Sequence, residues 1–166
     1  MATTATITLS ELLEQRAKAY EAREGNNEEV IRDWLDAIGG LFAQMKAWIA
    51  EADPKGILTL EESLTEIKEP NLGRYKAPRL DIRAFGKWIG ILPKARKTLG
   101  WANPPRSNSP VGATGRVDIT DELNRFILYR IPESGGSIWM IEGPEFDRSE
   151  VLDKPRFEAA LVSYFR

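Results

Sequence analysis

The sequence predicts an α+β fold, in which an N-terminal helical hairpin packs with a small antiparallel β-sheet, barrel-like or open, and with a C-terminal helix. Three observations carry that expectation. Apolar residues recur every three or four positions between Ile31 and Ile49, period-two alternation runs through 79–92 and 116–142, and Pro155 opens a last apolar-periodic segment.

Thr8 and Glu11 have the spacing of a capping box, so a first helix is expected from about Leu9. Leu9, Leu12, Leu13, Ala17 and Tyr20 give it a modest apolar stripe, and Gly25-Asn26-Asn27 reads as its end. Asn27 then caps a second helix, with Glu28 and Glu29 in the first turn, where the helix dipole favours acids. Ile31, Trp34, Ile38, Leu41, Met45 and Trp48 alternate spacings of three and four, with Leu35, Phe42 and Ile49 beside them. That face is too wide for the first helix to cover alone, so it must pack on the β portion, another subunit or a partner protein. Pro54 closes the element.

Ile57–Glu69 fits either period and is read as a strand, because Gly56 and Pro70-Asn71 limit its length. Arg79–Phe85 and Lys87–Leu92 form a hairpin about Gly86. Ala102–Gly115, with three prolines, is expected to be a loop, and long loops inside compact domains are often functional. Short strands are expected at Arg116–Ile119, Arg125–Ile131 and Ile138–Glu142, with a turn at 133–137. The C-terminal helix carries Phe157, Leu161, Tyr164 and Phe165. The division is 1–55 as a helical interaction element and 56–166 as a β domain with its helix, or the two integrated in one domain.

The formal net charge of −2 conceals blocks of −7 (1–71), +9 (72–116) and −4 (117–166). The basic block interleaves Tyr75, Phe85, Trp88 and Trp101, a composition suited to single-stranded nucleic acid or to an acidic protein surface. Arg74, Lys76, Arg79, Lys94, Arg96, Lys97 and Arg106 are its candidate contacts for a protein or nucleic-acid partner. Acidic flanks on both sides mean that much of this charge is open to neutralisation within the chain.

There is neither Cys nor His in the sequence. Disulfides, zinc–thiolate sites and imidazole-activated nucleophiles are therefore excluded for this chain. Glu66-Ile67-Lys68, with Asp53 upstream, has the spacing of a metal-dependent nuclease site, but a tripeptide with one free position recurs by chance. Gly112-x-x-Gly115 and Gly135-Gly136 lack the ending of a phosphate-binding loop. The acidic groups Asp118/Asp121/Glu122 and Glu142/Glu145/Asp147 lack the calcium-loop pattern. No catalytic residue, metal or cofactor is assigned.

The opening MATTATITLS has no basic-then-apolar leader, and no run approaches the roughly eighteen apolar residues of a membrane span. The expectation is a cytoplasmic, non-catalytic accessory or adaptor subunit, acting through a protein partner or as a homo-oligomer. Ile31, Trp34, Ile38, Leu41, Met45 and Trp48 are its candidate docking face. Nucleic-acid binding through 72–116 is the alternative, and a metal-dependent nuclease a distant third.

Overall fold

A computed structural model describes residues 6–166. Thr8 caps the first helix as its spacing predicts: its hydroxyl accepts from the Glu11 amide, and the Glu11 carboxylate accepts from the Thr8 amide. From this cap the chain runs as one helix, α1 (Leu9–Ala52), and not as a helical hairpin. Gly25-Asn26-Asn27 fails to end it because none of the three adopts the left-handed backbone that a C-terminal cap needs. The Asn27 side chain instead donates to the Asn71 carbonyl at 2.9 Å, tying mid-helix to a distant turn. Gly39-Gly40 also stays helical and faces solvent, so it neither breaks the helix nor brings another element closer.

Nine strands come after α1: β1 (Thr59–Glu69), β2 (Gly73–Ala84), β3 (Lys87–Ala95), β4 (Trp101–Ala102), β5 (Val111–Gly112), β6 (Arg116–Thr120), β7 (Arg125–Glu133), β8 (Gly136–Glu142) and β9 (Glu150–Val151). Seven form an open antiparallel sheet in the order β1-β2-β3-β6-β7-β8-β9, and β4 pairs with β5 within the Pro-rich connection. The chain ends in α2 (Lys154–Phe165), capped by Asp153 with Pro155 in its first turn. The β2–β3 turn places Phe85 and Gly86 at positive φ, as a two-residue hairpin turn requires, and Phe85 is an unusual occupant of that position.

Alternation sorts the sheet into two faces. Leu80, Ile82, Ile89, Ile91, Val117, Ile119, Phe126, Leu128 and Ile141 point to one face, against Trp34, Ile38, Leu41, Phe42, Met45 and Ile49 of α1 and Phe157 and Tyr164 of α2. Trp48 stacks at a tilt on Phe157, and the Tyr164 hydroxyl donates to the Ile119 carbonyl at 2.8 Å, so α2 is fixed to both α1 and the sheet. On the opposite face, the β4–β5 flap covers Tyr129, Ile131 and Met140 in a second small cluster. Among the described residues neither hydrophobic cluster extends over the remainder of that face, on β2, β3 and β6, which is open.

Along β2 the buried set changes parity, from Tyr75 and Ala77 to Leu80 and Ile82, while the β1–β2 register continues without a bulge. A two-stranded ribbon coils more than a wide sheet, and this coiling turns the hairpin's far end onto α1 near Asn27 and Ile31.

Candidate interaction surface

Leu13, Tyr20, Asn27, Trp34, Leu41 and Trp48 recur every seven residues along α1, so a single stripe runs the length of the helix. From Val30 onward the stripe faces the chain's own sheet. N-terminal to Asn27 every residue from 6 to 26 is exposed, with Tyr20, Arg23 and Glu24 lining a shallow crevice against the β1–β2 turn and the helix free of the body before them. Leu9 (70%), Leu13 (58%) and Tyr20 (63%) stand in solvent there, with Leu12 beside them. The free arm Leu9–Asn26 is about 27 Å long at 1.5 Å per residue. Glu14, Glu21, Glu24 and Glu28 line one flank of its stripe at helical spacing.

The residues singled out from the sequence fall in different places. Trp34, Ile38, Leu41 and Met45 are fully or almost fully buried, and Ile31 and Trp48 are half-buried. Their cover is the sheet and α2. The basic residues do not form one patch. Arg74 and Lys76 lie near the hairpin tip, where Arg74 is 3.7 Å from Glu66 across the ladder. Arg79 forks onto Asp81 through Nε (3.1 Å) and Nη2 (2.7 Å), Lys94 is exposed at the end of β3, and Lys97 is exposed just after it. Arg106 stands in the Pro-rich connection.

Arg96 turns inward. Its backbone amide and that of Lys97 donate to Glu69 at 3.0 and 2.9 Å, and the Tyr75 hydroxyl donates to the same carboxylate. Burial, then the nearby Arg130 charge, pulls the Arg96 pKa below its ordinary value. Burial, then the Glu69 hydrogen bond, pushes the Tyr75 phenol far up. Arg130 donates from Nη1 to Asp33 at 2.8 Å, so this polar knot joins α1, the β1–β2 hairpin, β7 and the segment after β3. Among the described residues the Trp34 Nε1 and Arg96 Nε atoms within it have no hydrogen-bond partner.

The open sheet face repeats one device. Arg116 forks onto Asp118 (2.8 and 3.1 Å) as Arg79 does onto Asp81, two strands away. Between them the Trp88 indole lies on Gly90, where a Cβ would collide with the ring, and donates from Nε1 to Asp81 at 2.6 Å. Arg79 sits 5.9 Å from the Trp88 ring centroid. Burial raises the Asp81 pKa, but hydrogen bonds from Arg79 and Trp88 outweigh it and hold the carboxyl below its ordinary value of 3.8. A depressed folded-state pKa contributes stability above the unfolded value that is lost as pH falls through the folded one. The stability gap between wild type and Asp81→Asn should therefore be constant at neutral pH and narrow progressively below 3.8, as read by urea unfolding across a pH series.

Asp53, Glu66 and Lys68 are not brought together. The Asp53 carboxylate accepts the Ile57 and Leu58 amides at 2.9 and 2.8 Å, at the start of β1. Glu66 lies about 23 Å further along that strand at roughly 3.3 Å per residue. Among the described residues no group of three or more acidic side chains is placed to hold a metal ion, and no helix is long and apolar enough to cross a membrane.

The arm was visible in the sequence only as a modest stripe. The β4–β5 pair and the pocket beside it left no periodic signal, because two-residue strands have none. Comparison with family models, curated proteins and solved structures gave no match.

Proposed function

We propose that the chain is a non-catalytic accessory or adaptor subunit that docks on a larger protein through the free arm of α1. The observation that carries this reading is the stripe that buries itself on the sheet after Asn27 and continues in register, uncovered, before it. Most helical stability in proteins comes from packing of an amphipathic face, so a partner that covers the stripe also stabilises the arm. The acidic flank of Glu14, Glu21, Glu24 and Glu28 favours an apolar groove or helix bordered by Lys and Arg.

A second copy fits poorly. In a parallel pair the stripe's azimuth would drive each sheet into the other helix, and in an antiparallel pair the two acidic flanks would face each other. Nucleic-acid binding through 72–116 has less support, since Arg74, Arg79, Arg83 and Arg116 each lie within ion-pair distance of an acid in the sheet.

The test is a triple variant, Leu9→Gln, Leu13→Gln and Tyr20→Gln, compared with wild type after purification from the native cells. The expected result is an unchanged thermal midpoint with loss of the stoichiometric protein partner that wild type retains. Retention of that partner by the variant, or an arm-dependent homodimer of wild type by sedimentation, would overturn the reading.

A further inference from the structure

The β4–β5 flap does more than close the second cluster. Between the Pro-rich connection and the end of the sheet at β8–β9 it borders a half-open pocket of about 520 Å³. Trp101 forms one wall. Its ring lies along Gly112, where an added Cβ would sit 3.7 Å away, and the residue is 62% exposed. Pro104 and Pro105 add apolar surface, and Arg106 and Arg148 line the pocket together with Glu150.

Each feature restricts what the pocket can hold. An indole and two proline rings in one lining favour a flat aromatic ring, which gains stacking contacts. Two arginines favour phosphate or carboxylate, whose paired oxygens match the guanidinium fork. Arg106 makes no ion pair among the described residues, and Arg148 approaches only Glu150, at 3.6 Å. Arg106 is also held at φ 65°, in the left-handed region that L side chains avoid. Strained positions of this kind are retained where a side chain has to be aimed, and a glycine would hold the same turn without strain. The volume lies within the range typical of small-ligand sites.

We infer that this pocket binds a small aromatic anion, with its ring against Trp101 and its phosphate or carboxylate on Arg106 and Arg148. The site is separate from the helical arm, so the two are testable independently.

The full-length chain is titrated calorimetrically with three aromatic anions: adenosine monophosphate, phenyl phosphate and indole-3-acetate. Adenosine and inorganic phosphate serve as the two half-ligands. At least one aromatic anion is expected to bind with a Kd below about 1 mM, and each half-ligand at least about tenfold more weakly. Trp101→Ala and Arg106→Gly should each weaken binding at least about tenfold. Arg106→Gly should also keep or raise the thermal midpoint, because it relieves the left-handed strain, whereas a purely structural arginine would lower it. Failure of all three anions to bind would overturn the inference. So would phosphate binding as tightly as the aromatic anions, or wild-type affinity in Arg106→Gly.

Discussion

Gly115→Ala is expected to destabilise the fold by about 3 kcal/mol, the upper part of the usual range for overpacking a tight core site. A Cβ at this position would sit 2.6 Å from Cη2 and 2.9 Å from Cε3 of Trp34, with Cζ3 closer still. Neither side can retreat. The Trp34 ring is fully buried and leans on Trp139 at 6.0 Å between centroids. The Gly115 carbonyl accepts from the Arg130 amide at 3.0 Å, and the Thr114 amide donates to the Arg130 carbonyl at 2.7 Å, so the backbone is held on both sides of the glycine. At roughly 2–4 °C per kcal/mol for a chain of this size, the thermal midpoint should fall by roughly 6–12 °C. Trp34→Phe in the Gly115→Ala background should recover part of the loss, whereas Trp34→Phe alone should destabilise. Additive losses from the two substitutions would show that the contact is not the cause. Gly39→Ala, where a Cβ meets nothing, is the control expected to be neutral or stabilising.

Trp34 also shows how far the sequence can be read. Its heptad partners Leu41 and Trp48 identify an apolar face that needs a cover, and the structure supplies the chain's own sheet. Periodicity gives the direction of a face and is silent on what lies opposite. The same limit explains the arm. Leu9, Leu13 and Tyr20 belong to the same stripe, but Gly25-Asn26-Asn27 has the composition of a helix end. What decides is backbone conformation and the Asn27–Asn71 contact across forty-four positions, and neither is a local property.

The strands with clean alternation, in the segments 79–92 and 116–142, were legible. The first half of β2 was not, because ribbon coiling moves its buried side chains from one parity to the other. Charge behaved similarly. A tally makes 72–116 strongly basic, yet Arg79 and Arg116 meet an acid two residues along, and Arg74 and Arg83 meet acids on β1. The first kind of pairing is visible as Arg-x-Asp. The second depends on strand register, which the sequence left open.

Glu69→Ala should cost about 4 kcal/mol, since an unpaired buried donor is worth about 1–3 kcal/mol and this carboxylate serves three. Glu69 ends β1 with only 5% of its surface exposed, and it accepts from the Tyr75 hydroxyl and from the amides of Arg96 and Lys97. Without it the Tyr75 hydroxyl is left beside the buried Trp34 ring, and the segment after β3 loses its attachment to the hairpin. The thermal midpoint should drop by roughly 8–16 °C at roughly 2–4 °C per kcal/mol. Glu69→Gln separates the roles of the two oxygens. The Arg96 amide and the Tyr75 hydroxyl use Oε2, while the Lys97 amide uses Oε1. A glutamine carbonyl can keep the Oε2 pair, but its amide nitrogen would then meet the Lys97 N–H donor to donor. About half the alanine penalty should remain, and amide exchange should accelerate at Lys97 more than at Arg96. Equal acceleration at both amides would mean that Glu69 acts through its charge alone. Wild-type exchange in Glu69→Ala would mean that some other contact holds the segment after β3 to the hairpin.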